Sequence, residues 1–142
     1  MIPLAEVKNH LRIENDFTED DDALTRMVNA AIGYIEKHTG HIFGEQTKTY
    51  SCNSNGYIDI YEYPLSYAGG LTKFDFITKS RFYSDSVTLT VGYKELEDVP
   101  SALIQAALMM GDAWYYTDEK NLDQTNVPAG AWQLIHTYRR YV

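Results

Sequence analysis

Apolar residues recur with two different periods along this chain, and the change of period divides it into three stretches. Leu4, Val7 and Leu11 stand at i, i+3 and i+7, which predicts a short helix over Pro3 to Leu11 with the proline in its first turn. The polar stretch Arg12 to Asp16 breaks it. Leu24, Met27, Val28, Ala31, Tyr34 and Ile35 then share one helical face, opposite Thr25, Arg26, Asn29, Gly33, Glu36 and Lys37. This predicts an amphipathic helix from about Glu19 to Thr39. Thr18 is its predicted N-cap, Asp20, Asp21 and Asp22 complement the helix dipole, and Gly40 is its predicted stop.

Between Thr47 and Tyr93 the period becomes twofold. Thr47 to Cys52 and Tyr57 to Tyr61 flank the turn-forming Asn53-Ser54-Asn55-Gly56, which predicts a hairpin. Phe74 and Phe76 alternate with Lys73 and Asp75, and Val87, Leu89, Val91 and Tyr93 alternate with Thr88, Thr90 and Gly92. Tyr67 to Gly70 and Lys79 to Asp85 are predicted to be exposed loops.

The helical period returns after Asp98-Val99-Pro100, a cap-and-proline start that Asn126-Val127-Pro128 repeats. Val99 to Thr117 is apolar around most of its circumference, with Leu103, Ala106, Ala107, Met110 and Trp114 on one face, so it is predicted to be the central helix. A last helix, about Pro128 to Tyr141, turns Leu134, Ile135, Tyr138 and Tyr141 inward. The predicted fold is therefore mainly α: a bundle of about four helices with an inserted β-hairpin or small antiparallel sheet between the second and third main helices. The expected organisation is one domain over 1–142, helical at 1–40 and 98–142, with the β and loop insert at 46–94.

A hydrophobic content of 44% supports a true core. The formal charge of −8 disfavours tight sequence-independent binding to nucleic acid, which requires a clustered positive face. A lone Cys52 forms no disulfide within the chain, the N-terminal residues lack the pattern of a signal peptide, and Ala102 to Met110 is too short to cross a bilayer. The expectation is a soluble intracellular protein with no membrane contact. Twelve tyrosines offer rings with wet hydroxyls, suited either to half-burial on a sheet or to protein contacts.

No arrangement of residues assembles chemistry. The acidic run Glu19 to Asp22 lacks the alternating oxygen ligands, mid-loop glycine and distal glutamate of a calcium loop. His38 and His41 are separated by the predicted helix stop at Gly40, and a single cysteine supplies no second thiolate. Gly69-Gly70 has neither phosphate-loop nor dinucleotide spacing. No catalytic residue, metal ligand or cofactor is expected.

Taken in order, Leu4-x-x-Val7-Lys8-x-x-Leu11-Arg12-Ile13, the acidic run, Leu24, Ala30-Ala31-x-x-Tyr34-Ile35-Glu36-x-x-Thr39-Gly40, Val91-Gly92-Tyr93, Val99-Pro100-x-x-Leu103-x-x-Ala106, Val127-Pro128-x-Gly130 and Leu134-x-x-x-Tyr138-Arg139 resemble the head–tail connector (adaptor, or head-completion) proteins of tailed bacteriophages. The insert from Pro64 to Asp85 is longer and more aromatic than the family pattern, and Tyr115 to Asn121 lacks its arginine-bearing stretch. The resemblance implies a non-enzymatic ring subunit at the head–tail junction of a virion, present in the host cytoplasm during assembly. That ring is expected to be twelvefold beneath the portal, to extend the DNA channel without reading sequence, and to join the next neck or tail-completion protein. On that reading Tyr67, Phe82 and Tyr83 are the candidate contacts to a neighbouring subunit or neck protein. Tyr138, Arg139, Arg140 and Tyr141 are the candidate portal-facing residues. The alternative is a small regulatory binding module acting as a monomer or dimer on one protein partner.

Overall fold

The computed structural model describes residues 2–66, 72–75, 79–116 and 127–138. Helix α1 (Leu4–Leu11) starts from the extended Pro3 and buries Val7 and Leu11. It ends at Arg12, whose left-handed backbone (φ 60°) returns its N–H to the last turn. Helix α2 (Asp21–Thr39) buries Leu24, Val28, Ala31 and Ile35 of the predicted stripe together with Ile32, while Met27 and Tyr34 at its margins are half-buried. Gly40, at φ 75°, stops it, donating its N–H to the Glu36 carbonyl at 2.9 Å. Helix α3 (Ser101–Tyr115) packs against α1, α2 and α4 (Ala129–Tyr138), burying Leu103, Ala106, Ala107 and Met110 completely. α4 buries Ala131 and Ile135 in the same core.

The N-terminal acids have other duties than the predicted cap. Thr18 is not the cap of α2: Asp20 holds that position and makes no side-chain capping bond. Asp20 instead accepts a 2.6 Å bond from the Tyr115 hydroxyl, and Asp21 pairs with the buried Lys8 ammonium at 2.6 Å. Lys8 also donates to the carbonyls of Phe17 (2.7 Å) and Asn15 (3.3 Å), so one cation fastens the α1–α2 loop to α1. A buried ammonium is tolerated because two carbonyls accept hydrogen bonds from it and a carboxylate stands beside it to balance its charge.

The middle of the chain corrects the predicted fold class. Among the described residues it forms six strands, β1 (Gln46–Ser51), β2 (Ile58–Ile60), β3 (Leu65–Ser66), β4 (Thr72–Asp75), β5 (Ser80–Tyr83) and β6 (Ser86–Val91). They build two three-stranded antiparallel sheets, ordered β1-β6-β3 and β2-β5-β4. Ile58, Ile60 and Phe82 of one sheet and Val87, Leu89 and Val91 of the other form a hydrophobic core separate from the helical one. The fold is thus mixed α/β, and not a mainly helical bundle carrying a hairpin. The predicted hairpin is also absent: β1 pairs with β6 and β2 with β5, although Asn53 to Tyr57 does make the turn. Lys79 to Asp85 is not a loop either, since it contains β5. Strands of two to four residues place one or two side chains on each face, too few for a clear twofold period.

One seam joins the helical and sheet layers. Ile42 donates its N–H to Tyr63 and accepts from Tyr93 through its carbonyl, and Gly92 donates to Pro64. Gly92 has φ 104°, and a Cβ there would meet the Gly44 carbonyl oxygen, with the Gly44 carbon at 2.8 Å. The glycine of Val91-Gly92-Tyr93 is therefore what lets β6 pass so close to the α2–β1 connection. No helix among the described residues is long and apolar enough to cross a membrane.

Candidate subunit and neck interfaces

Antiparallel register sets the outer face of the β2-β5-β4 sheet. Asp59 lies opposite Arg81, and Arg81 opposite Phe74, so all three share the face turned away from the inter-sheet core. Arg81 grips Asp59 with two bonds, Nε to Oδ1 at 2.7 Å and a terminal nitrogen to Oδ2 at 3.1 Å, and Lys79 adds a third at 3.3 Å. The Arg81 hydrogen bond is the main reason the Asp59 carboxyl titrates below the ordinary aspartate range. The Arg81 guanidinium also lies 3.8 Å from the Tyr57 ring centroid. Tyr83 meets the edges of Tyr57 and Phe74 at 6.3 and 5.9 Å, with Tyr83 46% and Phe74 54% exposed. The result is a preassembled aromatic and ion-paired surface.

The three predicted insert contacts part company here. Tyr83 stands on that exposed surface. Phe82, the next residue back, points the opposite way, is 0% exposed and fills the core between the sheets, so as placed it offers nothing to a neighbour. Tyr67 lies outside the described residues.

Of the predicted portal-facing group, Tyr138 is described and half-buried at the end of α4, while 139–142 lie outside the described residues. The Tyr138 ring stands 5.7 Å edge-on to His41, which is also flanked by Tyr63 at 5.0 Å. His41 Nδ1 and the Tyr93 hydroxyl are 2.8 Å apart. Burial, followed by the neighbouring Tyr63 and Tyr138, pushes the Tyr93 hydroxyl up to about 12. Tyr138 therefore anchors α4 to the seam between the layers. His38 lies on the other side of the Gly40 stop, its Nδ1 2.9 Å from the Tyr34 carbonyl. Among the described residues no three of His, Cys, Asp and Glu converge as a metal site.

One surface was not singled out from the sequence. In the β1-β6-β3 sheet the outward cross-strand pairs are Thr47 with Thr90, Thr49 with Thr88, and Ser51 with Ser86, and Ser66 also faces Thr90. The Thr49 and Thr88 hydroxyls lie 2.8 Å apart. The face is wholly hydroxylated and carries no charge. The only signal was Thr88 and Thr90 between the apolar residues of β6; the matching β1 threonines count only once the register is known.

Residues 1–69, just under half of the chain, match the family model described as phage gp6-like head-tail connector protein. The resemblance read from the sequence is thereby borne out. No curated protein matches the chain. Among solved structures, a chain of "Neck of empty GTA particle computed with C6 symmetry" is 20% identical with a TM-score of 0.74, over 99% of this chain and 90% of that one. A chain of "Virion of native gene transfer agent (GTA) particle" is 19% identical with a TM-score of 0.74 and the same coverage, 99% and 90%. A chain of "Neck of native GTA particle computed with C12 symmetry" is 18% identical at a TM-score of 0.69, again over 99% and 90%. At these identities the likeness establishes the fold, helices and sheets together.

Proposed function

We propose that this structural head–tail connector works as one subunit of a closed ring at the head–tail junction of a virion, twelvefold beneath the portal. The observation that carries the reading is the connector-family match over residues 1–69, joined to a fold shared along 99% of the chain with proteins of symmetric particle necks. The regulatory binding module finds no support in these relationships. A ring subunit needs outward surface and no reacting groups, and the chain acts without catalysis, as one domain over 1–142. An acidic chain, at −8, suits a passage through which DNA must slide without being gripped.

Within this reading Tyr83 and Tyr67 of the insert meet the neighbouring subunit or the next neck protein. The end of the last helix, Tyr138, Arg139, Arg140 and Tyr141, faces the portal. The test is a particle lacking the chain, complemented with wild type or with Arg139→Glu plus Arg140→Glu. Loss of the chain should leave DNA-filled heads and separate tails, wild type should restore joined particles, and the double variant should not. Joined, infectious particles made without the chain would end the connector reading; full rescue by the double variant would remove the portal assignment.

A further inference from the structure

Resting on the ring reading above, we propose that neighbouring copies meet sheet to sheet: the aromatic face of one subunit (Tyr57, Phe74, Arg81, Tyr83) lies on the hydroxyl face of the next (Thr47, Thr49, Thr88, Thr90). A ring closed by head-to-tail contacts needs two different surfaces on opposite sides of each subunit. The β unit supplies such a pair. Its two sheets share one core, made by Ile58, Ile60 and Phe82 against Val87, Leu89 and Val91, so their outer faces look in opposite directions.

Charge selects the same two faces. Copies of a chain at −8 repel one another wherever acids meet, and exposed Glu14, Asp16, Glu19 and Asp22 crowd the start of α2. The hydroxyl face has no ionised group, and on the aromatic face Asp59 is already held by Arg81 and Lys79. The two can approach without like-charge repulsion and without breaking an ion pair. Phe74 and Tyr83 are among the most exposed large apolar side chains of the described residues, and covering them supplies the driving force. Threonine hydroxyls opposite give tyrosine hydroxyls partners, while their methyl groups pack on the rings.

Disulfide trapping tests this. The parent is Cys52→Ser, assembled on the portal of its own particle; Thr49→Cys and Tyr83→Cys are added to it singly and together. Under mild oxidation the double variant should give a ladder of covalent multimers, and a mixture of the two single variants should give covalent dimers. Either single variant alone should stay uncrosslinked. Rings of normal size without the ladder would overturn the sheet-to-sheet contact while leaving the connector reading standing, as would self-crosslinking of one single variant, which marks a twofold contact. A parent that forms no ring overturns the connector ring and this contact with it. As a second variant, Thr47→Arg, which sets a bulky cation against Arg81 and Lys79 of the neighbouring copy, should abolish ring formation while the protein still melts in one transition close to that of the parent; normal rings from it count against the proposal.

Discussion

Phe82 and Tyr83 are adjacent aromatic residues on one four-residue strand, and replacing each by alanine should damage different properties of the protein. Phe82 is 0% exposed and is the largest fully buried side chain among the described residues. Its ring packs among Ile58, Ile60, Val87, Leu89 and Val91, the whole buried core of the β unit. Truncating such a ring removes its transfer free energy and leaves a cavity, at a cost of about 3–5 kcal/mol. For a chain of this size that lowers Tm by roughly 10–17 °C. Tyr83, 46% exposed, loses only solvent-edge contacts to Tyr57 and Phe74, so Tyr83→Ala costs under about 1 kcal/mol. Thermal unfolding followed by circular dichroism separates the two, and ring formation on the portal is then measured below both transitions. Phe82→Ala should melt early, whereas Tyr83→Ala should melt normally and assemble poorly. Near-equal melting shifts, or a Phe82→Ala protein within about 1 kcal/mol of wild type, would refute the division between inner and outer faces.

Two further substitutions probe other joints. Gly92→Ala puts a Cβ against the Gly44 carbonyl at a φ of 104°, so backbone must move on both sides of the seam; the expected loss is about 3 kcal/mol by chemical denaturation, and a loss under about 1 kcal/mol would show that the seam is pliable. Asp59 has a folded-state pKa lowered chiefly by its hydrogen bond to Arg81, so its stabilisation is fully present above the unfolded-state value and fades as pH falls through the lowered folded-state value. Asp59→Asn should therefore lower Tm at neutral pH, with the difference from wild type closing on acidification; a gap independent of pH would show that the ion pair contributes nothing.

How much could be read beforehand followed from whether the signal was local. The stripe from Leu24 to Ile35 and the stop at Gly40 lie within one helix, and the encircling apolar surface of Val99 to Thr117 marked the helix that packs on the other three. The β unit depends on partners far along the chain. Asn53 to Gly56 announces a reversal, yet it cannot say that β1 will pair with β6 and β2 with β5. In Ser80-Arg81-Phe82-Tyr83 the alternation holds two residues per face, so the buried Phe82 and the exposed Tyr83 looked alike. The hydroxyl face was invisible for the same reason, because Thr49 and Thr88 become neighbours only through long-range register. The acidic start of α2 was read as capping, whereas its aspartates answer Lys8 and Tyr115 from other elements.

Repeated copies of this chain are expected to encircle the passage between head and tail. Electron cryomicroscopy of particles carrying a tagged copy tests that directly. The prediction is a closed ring of tagged subunits at the junction, each fitted by this α/β fold with its two sheets turned towards its two neighbours. Tag density elsewhere in the particle, or a single copy at the junction, would contradict it.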